Sequence, residues 1–552
     1  MSETEQLAAG AAVDRLVWRD RWNQPGNALF WSACVLLGAW ALFQNFFKIG
    51  TAPILADEPT YATSGWRYLH GQVSTPPAYG GSPVAAPGNF EHPPLAKSLF
   101  GLAQLVSGTP RDLTASRCVS AAATVLAAVV VGVWLGRLAG RWTGFLTAGL
   151  LTVLPQPAGG SDGRFSRFAM LDPVATLFMV VSVVLAWEWS RAAGFRAPGR
   201  RRTGRSGWVC AVLTGGAVAL AAGAKENGWL GAVGPVVLVV VGAARSRDRS
   251  LVRVRLVQTA VAVAVAAAGF VALYLPISNP ISAVRYLVDF QTTHSSDGHS
   301  VGFAGRVTTR PPWWANLWFA GHGYGSLLTC VILGAAACAV VVRRDLLVAW
   351  CLAAVAAPFV FHCFVAHVAL SYYWVMWTPM VLALAALGVR EVIRGAGARA
   401  MRFRGPVAVV AAVAVLVVPV VDSVADSVAT ARIHPAGAQV LPGLMARQGR
   451  SGPIVSTGVG EWAYSYYLPS VKVSMTFDAS VHADTIVIAK PQCRDPLDPA
   501  IRALVAVNEA SGGVRQIYSD AAITVYAVVG ALTTPTASQV AAQPVSRATD
   551  GC

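Results

Sequence analysis

Two adjacent carboxylates, Asp57 and Glu58, follow the first apolar stretch of the chain at residues 29–48. That stretch has the length of about 20 residues that a membrane-spanning helix requires, so we expect both side chains at a membrane boundary. Carboxylates there are costly unless they are solvated or paired. One of them could remove a proton from an attacking hydroxyl group while the other orients it or holds a cation. The pair could also be only the solvated acidic start of a loop.

A second set of polar side chains, Glu91, His92 and Lys97, surrounds the proline pair at residues 93–94. The prolines predict an extended turn, and the apolar segment after them is too short to cross a membrane. We therefore expect a helix that lies at the membrane surface and holds the three side chains there. Taken singly, the histidine could be structural and the lysine an interfacial anchor.

Two arginines, Arg164 and Arg167, precede a later apolar stretch, and Asp172 lies a few residues further along the chain. A guanidinium group can hold a phosphate through two parallel hydrogen bonds, so these arginines predict a phosphate site. An ion pair between Arg167 and Asp172 is the alternative. Lys225 lies in a short turn between two further apolar stretches. It could reach a sugar or a phosphate, or belong to a turn that is merely polar.

A long loop at 277–320 contains His294, His299 and Arg310, and Arg310 is followed by Pro-Pro-Trp-Trp. Aromatic rings stack on sugar faces but also populate the membrane interface. The tryptophans therefore have two explanations, and the loop is a candidate for binding substrate rather than for catalysis.

The sequence requires no cofactor. It contains neither a GxGxxG fingerprint nor a P-loop, and its nine cysteines form no CxxC pair and no zinc spacing. His362 and His367 end another apolar stretch and could be metal ligands or packed histidines. A divalent cation could bind near Glu91 or His362, although no ligand spacing demands one.

Composition indicates a membrane protein. Of 552 residues, 55% are hydrophobic and only 13% are charged, with a mean hydropathy of +0.53, whereas soluble proteins carry roughly 25% charged residues. The net charge of +16 comes from arginine clusters between apolar stretches, which is where cytoplasmic loops carry them. No nucleic-acid-binding motif is present, so we expect no nucleic-acid partner.

Hydropathy predicts eleven spans preceded by a cytoplasmic segment at 1–28. In that orientation all five basic loops face the cytoplasm, as the positive-inside rule requires. The odd number of spans then places the C-terminus outside, and we predict a multi-pass protein of the plasma membrane with a long first outer loop at 49–113. The spans are predicted at 29–48, 114–136, 141–157, 169–190, 208–224, 228–244, 256–276, 321–342, 346–366, 368–389 and 406–421.

The character of the chain changes after the last predicted span. Residues 29–421 are predicted to form the α-helical transmembrane domain, and residues 430–530 a small extracytoplasmic α/β domain. The tail at 531–552, rich in Ala, Thr, Pro and Ser, is predicted to be disordered. Within the α/β domain, strands are predicted at 452–457 and 484–489, a helix at 499–509 and a closing hairpin at 514–529.

Three of these motifs, in this order, resemble the polyprenyl-phosphate-dependent glycosyltransferases of the GT-C fold. The motifs are Asp-Glu at 57–58, His-Pro-Pro-Leu-x-Lys at 92–97 and Arg-x-x-Met-Leu-Asp at 167–172. The resemblance covers residues 29–320, and the similar groups are the protein O-mannosyltransferases and the lipid A aminoarabinose transferases. It implies transfer of a sugar, mannose or arabinose-like, from a polyprenyl-phosphate donor lipid to a protein, glycolipid or glycan acceptor on the outer face.

The resemblance also implies roles for individual residues. Asp57 would be the catalytic base, with Glu58 beside it, and the anomeric carbon would be inverted. A lysine precedes the double proline in the aminoarabinose enzymes, whereas His92 has that position here, which favours the mannosyltransferase side. Binding of the substrate or its phosphate would fall to Glu91, His92, Lys97, Arg164, Arg167, Asp172, Lys225, His294 and Arg310.

A lipid or polysaccharide transporter is the alternative function. Transporters place charged residues near the middle of the membrane and contain inverted repeats with broken helices. The predicted spans of this chain contain almost no charge at that depth, and the polar residues gather on one face. This distribution favours chemistry at an interface over transport.

Overall fold

The structure, a computed structural model, consists of a helical bundle followed by a small mixed sheet. Helices dominate the apolar part because a helix satisfies its own backbone hydrogen bonds, as a membrane interior requires. The structure describes residues 26–52, 54–55, 57–73, 88–109, 113–154, 157–158, 161–192, 205–245, 248–298, 301–304, 306–366, 369–370, 372–398, 404–435, 437–457, 466–468, 470–474, 483–489, 498–520 and 523–543.

The described helices are numbered α1 to α18 in chain order. They are α1 (Gly26–Phe46), α2 (Glu58–Leu69), α3 (Leu95–Ser107), α4 (Leu113–Ala139), α5 (Arg141–Val153), α6 (Leu171–Ala192), α7 (Arg205–Ala224), α8 (Leu230–Ala244), α9 (Arg249–Ala272), α10 (Pro280–Asp297), α11 (Ala315–Tyr324), α12 (Ser326–Arg343), α13 (Leu346–Val360), α14 (Thr378–Ala398), α15 (Arg404–Arg432), α16 (Leu441–Arg447), α17 (Asp498–Ala510) and α18 (Ala537–Ala541). A π-helical turn, Phe361–Val365, extends α13.

Seven helical segments of the described chain are long and apolar enough to cross a membrane. They include α1, α4, α6, α7, α9, α12 and α13 with its π-helical turn. The chain is therefore a multi-pass membrane protein, and the predicted helical fold class is confirmed. Helices also lie at the four other predicted spans, as α5, α8, α14 and α15, and the total of eleven stays a prediction. Helix α3 has 13 residues, too few to cross a bilayer, which needs about 20.

Helices α2 and α3 pack backbone against backbone through glycines. A Cβ atom added at Gly65 would lie 2.0 Å from the main-chain oxygen of Lys97, and one added at Gly101 would lie 2.2 Å from the oxygen of Gly65. Only glycine allows this approach. The crossing holds the start of α2, with its two carboxylates, close to the start of α3.

Tryptophans fill the interface between three of the long helices. Trp134 of α4 and Trp187 of α6 meet edge to face with ring centroids 6.0 Å apart, and Trp187 meets Trp350 of α13 at 5.4 Å. All three side chains are buried. Such edge-to-face contacts add to the free energy gained by burying large rings. These residues therefore hold together the C-terminal ends of α4 and α6 and the N-terminal end of α13.

The C-terminal region contains a five-stranded mixed sheet of β5 (Ile454–Thr457), β6 (Val473–Ser474), β7 (Thr485–Ala489), β8 (Val514–Ser519) and β9 (Ile523–Val528). The sequence predicts four of these strands, and β6 is the one that it does not predict. Strand β5 pairs in parallel with β6 and β7, and β9 pairs antiparallel with β7 and β8, in the order β6-β5-β7-β9-β8. Helix α17 covers the predicted helical segment, and α18 lies at the start of the predicted tail. Two short hairpins precede this sheet in the chain, formed by β1 (Pro157–Ala158) with β2 (Ser161–Arg164) and by β3 (Val301–Phe303) with β4 (Arg306–Thr308).

The C-terminal region contacts the loop that follows α1. Gln439 donates a hydrogen bond to the main-chain oxygen of Gly50 at 2.9 Å. The Lys48 ammonium donates to the main-chain oxygen of Ala431, at the end of α15, at 2.8 Å. The sheet region therefore lies at the same end of the bundle as the acidic start of α2.

Candidate active site

Asp57 lies immediately before the first residue of α2 and is half-buried. The partial positive charge at a helix N-terminus stabilises a carboxylate at this position. Burial, and next the charge of Asp57, raise the pKa of the Tyr61 and Tyr372 hydroxyls well above the usual value. The carboxylate therefore lies near both tyrosine hydroxyl groups.

Glu58, by contrast, is fully buried and bound on both oxygens. Arg117 donates to it from Nε at 2.8 Å and from Nη2 at 2.7 Å. The main-chain N–H groups of Ala169 and Leu55 donate to the same carboxylate at 2.6 Å and 2.9 Å. Because four donors hold it away from solvent, Glu58 positions its neighbour Asp57 and joins three loops.

Arg117 is a site residue that the sequence analysis missed. Besides Glu58, its Nη1 group binds the main-chain oxygens of Ile49 at 3.0 Å and Ala52 at 2.8 Å. It therefore fixes the loop between α1 and α2 on the start of α4. The available signal was an arginine inside a predicted span, since a charge there almost always has a partner.

His92 and Glu226 form a partly exposed pair, with His92 Nδ1 2.9 Å from Glu226 Oε2. Burial alone would raise the pKa of Glu226, but His92 and Lys225 lower it to about 2. The Tyr61 ring meets the His92 ring edge to face at 5.8 Å. Through Tyr61, the predicted surface motif therefore lies close to Asp57.

Lys97 is buried and positions the loop before α3. Its ammonium donates to the main-chain oxygen of His92 at 2.7 Å and to both oxygens of Asn89. Burial lowers its pKa to about 7, against the pull of Glu91 and Glu226. The lysine thus fixes the position of His92 through its main-chain oxygen.

Glu91 is half-buried beside the same loop. Burial raises the pKa of its carboxyl, which His92 and Lys97 oppose. Asn89 donates to Glu91 Oε2 at 3.2 Å, and Gln291 of α10 donates to its main-chain oxygen at 2.9 Å. Glu91 therefore links the first long loop to α10.

Lys225 and Asp172 form a buried ion pair, with Nζ 2.7 Å from Oδ1. The ammonium lies over the rings of Tyr373 at 4.7 Å and Tyr372 at 5.4 Å. Burial lowers the pKa of Lys225, but Asp172 and Tyr373 together raise it above its usual value. Asp172 therefore keeps Lys225 charged, and the alternative pair between Asp172 and Arg167 does not form.

Arg164 and Arg167 are both buried and bind main-chain oxygens. Arg167 donates to the oxygen of Gln44 at 2.9 Å. Arg164 donates to the oxygens of Thr152 at 2.6 Å and Leu154 at 3.0 Å. These contacts cap the C-terminal ends of α1 and α5, where carbonyl groups lack helical partners. The two arginines therefore bind the ends of these helices, and their predicted role in binding phosphate stays a prediction.

The residues predicted in the late outer loop lie on and after α10. The His294 ring stacks on Phe290 with centroids 5.4 Å apart. Arg310 is exposed and donates to the main-chain oxygen of Ser296 at 3.3 Å. The structure brings neither into a described contact with Asp57, and His299 lies outside the described residues.

His362 lies in the π-helical turn and is buried. Its Nε2 atom is 3.1 Å from Nδ2 of Asn227, and Asn316 donates to its main-chain oxygen at 3.0 Å. Its ring centroid is 4.7 Å from that of Tyr373. The histidine therefore lies next to the Lys225 pair, while His367 lies outside the described residues.

The described side chains provide no ready metal site. Within this part of the chain, no group of three or more His, Cys, Asp or Glu side chains could hold a metal ion. The nearest described polar partners of Glu91 and His362 are amide groups. The predicted cation near either residue therefore gains no support from these side chains.

The contacts collect at one end of the bundle, which we call the site end. It contains Asp57, the His92–Glu226 pair and the Lys225–Asp172 pair, walled by Tyr61, Tyr372 and Tyr373. These residues come from loops that are far apart in sequence. Asp57 shares these neighbouring tyrosines with Lys225 and His92, and a half-buried carboxylate in such a group can accept a proton while a nearby cation stabilises an anion.

A family model matches residues 109–282, which is less than half of the chain. Its description is Dolichyl-phosphate-mannose-protein mannosyltransferase. No curated protein sequence matches the chain. The matched segment contains Arg117, Asp172 and Lys225, so it covers part of the site end.

Two solved structures are similar over most of the chain. ArnT from Cupriavidus metallidurans, bound to undecaprenyl phosphate, has 17% sequence identity and a TM-score of 0.56; the match covers 91% of this chain and 99% of ArnT. The archaeal oligosaccharyltransferase AglB from Archaeoglobus fulgidus, in complex with an inhibitory peptide and a dolichol-phosphate, has 11% identity and a TM-score of 0.53. That match covers 91% of this chain and 74% of AglB. The chain is a multi-pass membrane protein with the GT-C fold.

Proposed function

We propose that the chain is a membrane glycosyltransferase that moves a sugar from a polyprenyl-phosphate carrier to an acceptor hydroxyl group. The observation that carries the proposal is the clustering of Asp57 with the Lys225–Asp172 and His92–Glu226 pairs at one end of a GT-C bundle. The similar ArnT and AglB structures contain undecaprenyl phosphate and a dolichol-phosphate. The matched family model describes a dolichyl-phosphate-mannose-dependent activity.

Asp57 acts as the base in this proposal. It removes the proton of the acceptor hydroxyl as that oxygen attacks the anomeric carbon. A glycosidic bond forms, the bond from the anomeric carbon to the phosphate oxygen breaks, and the electron pair of that bond leaves on polyprenyl phosphate. Attack from the opposite side inverts the anomeric carbon. Glu58 is a positioning residue, because its carboxylate is buried on Arg117.

The leaving phosphate needs positive charge, which Lys225 supplies, and His92 can donate a hydrogen bond to it. Lys225 is kept protonated by Asp172, and His92 is the more exposed of the two, at 19% of its side-chain surface. Fixed charges in a site with little water stabilise a developing anion without reorganising. Arg164 and Arg167 contribute indirectly by holding the helix ends around the site.

The side of the membrane that the site faces is a further part of the proposal. Arg191 and Arg343, which end α6 and α12 beside the arginine-rich loops, lie at the other end of the bundle, and such loops face the cytoplasm. The site end then faces the outside of the plasma membrane, with the C-terminal region next to it. The donor sugar is mannose or arabinose-like, and the acceptor is a protein, a glycolipid or a glycan.

Donor turnover in membranes tests the proposal. Membranes that contain the full chain are incubated with radiolabelled polyprenyl-phosphate mannose or polyprenyl-phosphate arabinose, and release of polyprenyl phosphate is measured. We expect Asp57→Asn to lower the rate by at least about 100-fold, the scale of general base catalysis. Asp289→Asn, which changes a carboxylate on α10 with 49% exposure, is the matched control and keeps the rate.

Two results would contradict the proposal. One is a wild-type chain that consumes neither donor. The other is an Asp57→Asn variant that retains full turnover. Movement of intact donor across the membrane without turnover would instead support the transporter alternative.

A further inference from the structure

We infer that a cavity beside His362 is a binding subsite for a sugar ring, an inference that rests on the proposed transferase function. The cavity has a volume of about 210 Å³ and lies between the loop at 311–313 and the π-helical turn. Its lining includes Trp313, His362 and Phe364. Nothing in the catalytic proposal uses these three side chains.

His362, which lines the cavity, belongs to a buried group of polar atoms without partners. His362 Nδ1, Asn227 Oδ1 and Asn316 Oδ1 accept or donate no hydrogen bond among the described residues. The amide of Asn227 can present either its nitrogen or its oxygen to His362 Nε2, because the two are assigned from the network. In both orientations the pair leaves one donor and one acceptor unmatched.

A hydroxyl group is the partner that fits both orientations, since it donates one hydrogen bond and accepts others. Buried polar groups are almost always paired, so a cluster of unpaired ones requires an explanation. A hydroxyl group of a ring in the cavity can bind His362, which is the member of this group that lines the cavity. Water can satisfy single atoms, but it does not account for the aromatic rings that also line the cavity.

One wall of the cavity is aromatic. Trp313 and Phe364 stack on each other with centroids 5.5 Å apart and an angle of 16° between the ring planes. About half of each side chain is exposed, at 52% and 53%. A flat apolar surface that lines the same cavity as His362 suits a ring that has C–H groups on its face and hydroxyl groups on its edge.

The cavity adjoins the proposed catalytic residues. The His362 ring lies 4.7 Å from the Tyr373 ring, and the Lys225 ammonium lies 4.7 Å from the same ring. Asn227 is next in sequence to Glu226, the partner of His92. The π-helical turn carries His362, and such turns occur frequently at functional sites. Only the Tyr373 ring would therefore lie between His362, at the cavity, and Lys225.

Direct sugar binding tests this inference. The full chain is purified in detergent, and saturation-transfer NMR is recorded with methyl α-mannopyranoside and methyl α-arabinofuranoside. We expect a signal from at least one glycoside with the wild type, and its loss with Trp313→Ala and with His362→Leu. Trp314→Ala is the matched control, because this neighbouring ring contacts Phe303 at 5.0 Å and does not line the cavity.

Donor kinetics show which sugar binds. For Trp313→Ala we expect the KM for the donor to rise about tenfold, the effect of one stacking contact, with a smaller change in kcat. A raised donor KM would assign the cavity to the sugar of the donor. An unchanged donor KM together with loss of the glycoside signal would assign it to a sugar of the acceptor. Either result supports a sugar subsite. A glycoside signal that persists in Trp313→Ala overturns the inference, while continued donor turnover by the wild type leaves the proposed function intact.

Discussion

The two ends of the helical bundle differ in how deeply their ion pairs are buried. At the site end, the Glu58–Arg117 pair has side-chain exposures of 0% and 1%, and the Lys225–Asp172 pair is similarly buried. The other end, which we call the basic end, carries Arg191, Arg343 and Arg394, and each of its described ion pairs includes at least one partly exposed side chain, although Arg343 is only 15% exposed and Arg255 is buried. Arg191, for example, is 51% exposed and lies 3.8 Å from Glu188.

The difference indicates two roles for charged residues. Those at the basic end set the orientation of the protein in the membrane, whereas the buried pairs belong to the candidate site. Exposed arginines cost little and fix which loops stay in the cytoplasm. A buried ion pair often gains no net stability over an apolar pair, because desolvation offsets the attraction. We therefore infer that the pairs at the site end are retained for the arrangement that they impose on Asp57 and Lys225.

Removing Arg117 should have the largest effect on stability. Arg117→Gln leaves Glu58 buried without its partner, and breaking a buried pair costs about 3–5 kcal/mol. We expect a markedly lower unfolding midpoint of the purified chain in detergent. Arg394→Gln, at the basic end, is the control, and equal midpoints for the two variants would remove the contrast between the ends.

Removing Lys225 should lower donor turnover, and this loss should remain when Asp172 is also changed to restore stability. Lys225→Met should lower donor turnover by about 100-fold, as expected for loss of one preorganised charge. The double variant Lys225→Met, Asp172→Asn should recover much of the unfolding midpoint but not the turnover. Recovery of both would make the pair purely structural.

The titration of Lys97 should give a smaller and pH-dependent effect. Burial lowers its pKa from 10.5 to about 7, so between these values the unfolded chain holds a proton that the folded chain lacks. Stability then rises with pH across this window. The unfolding midpoint of the wild type, measured relative to Lys97→Met, should increase from pH 7 to pH 9. The same series with Lys472→Met, an exposed lysine, should be flat, and a flat Lys97 series would contradict the assigned burial.

Changing Arg191 at the basic end should have the smallest effect. Exposed ion pairs contribute about 0–1 kcal/mol, so Arg191→Gln should leave the free energy of unfolding within about 1 kcal/mol of the wild type. Donor turnover in membranes should also be unchanged. A large loss of turnover would indicate that the basic end takes part in the reaction.

The sequence predicts the elements of the fold well and its long-range pairs poorly. Apolar stretches locate the long helices, and alternating segments locate β5, β7 and the β8–β9 hairpin. The predicted position of Asp57 at the end of the first span follows from the same hydropathy. These features depend on residues close together in the chain, which is why periodicity reports them.

The pairs that form the site could not be derived in this way. Glu58 and Arg117 are 59 residues apart, and His92 and Glu226 are 134 apart. Their meeting depends on helix packing, such as the glycine crossing of α2 and α3. The phosphate role predicted for Arg164 and Arg167 rested on residue type and motif, and the main-chain oxygens that bind them become visible only when the ends of α1 and α5 are placed.

The central claim is that acids and cations from distant loops meet on one side of the membrane. Trp229 is exposed in the turn that contains Lys225, and Arg344 is exposed directly after α12, at the basic end. Asp57→Cys, Trp229→Cys and Arg344→Cys can each be introduced after the native cysteines are replaced. Sealed vesicles are then treated with a membrane-impermeant maleimide. The account predicts that positions 57 and 229 are labelled from the same side and position 344 from the other. Labelling of positions 57 and 229 from opposite sides would contradict it.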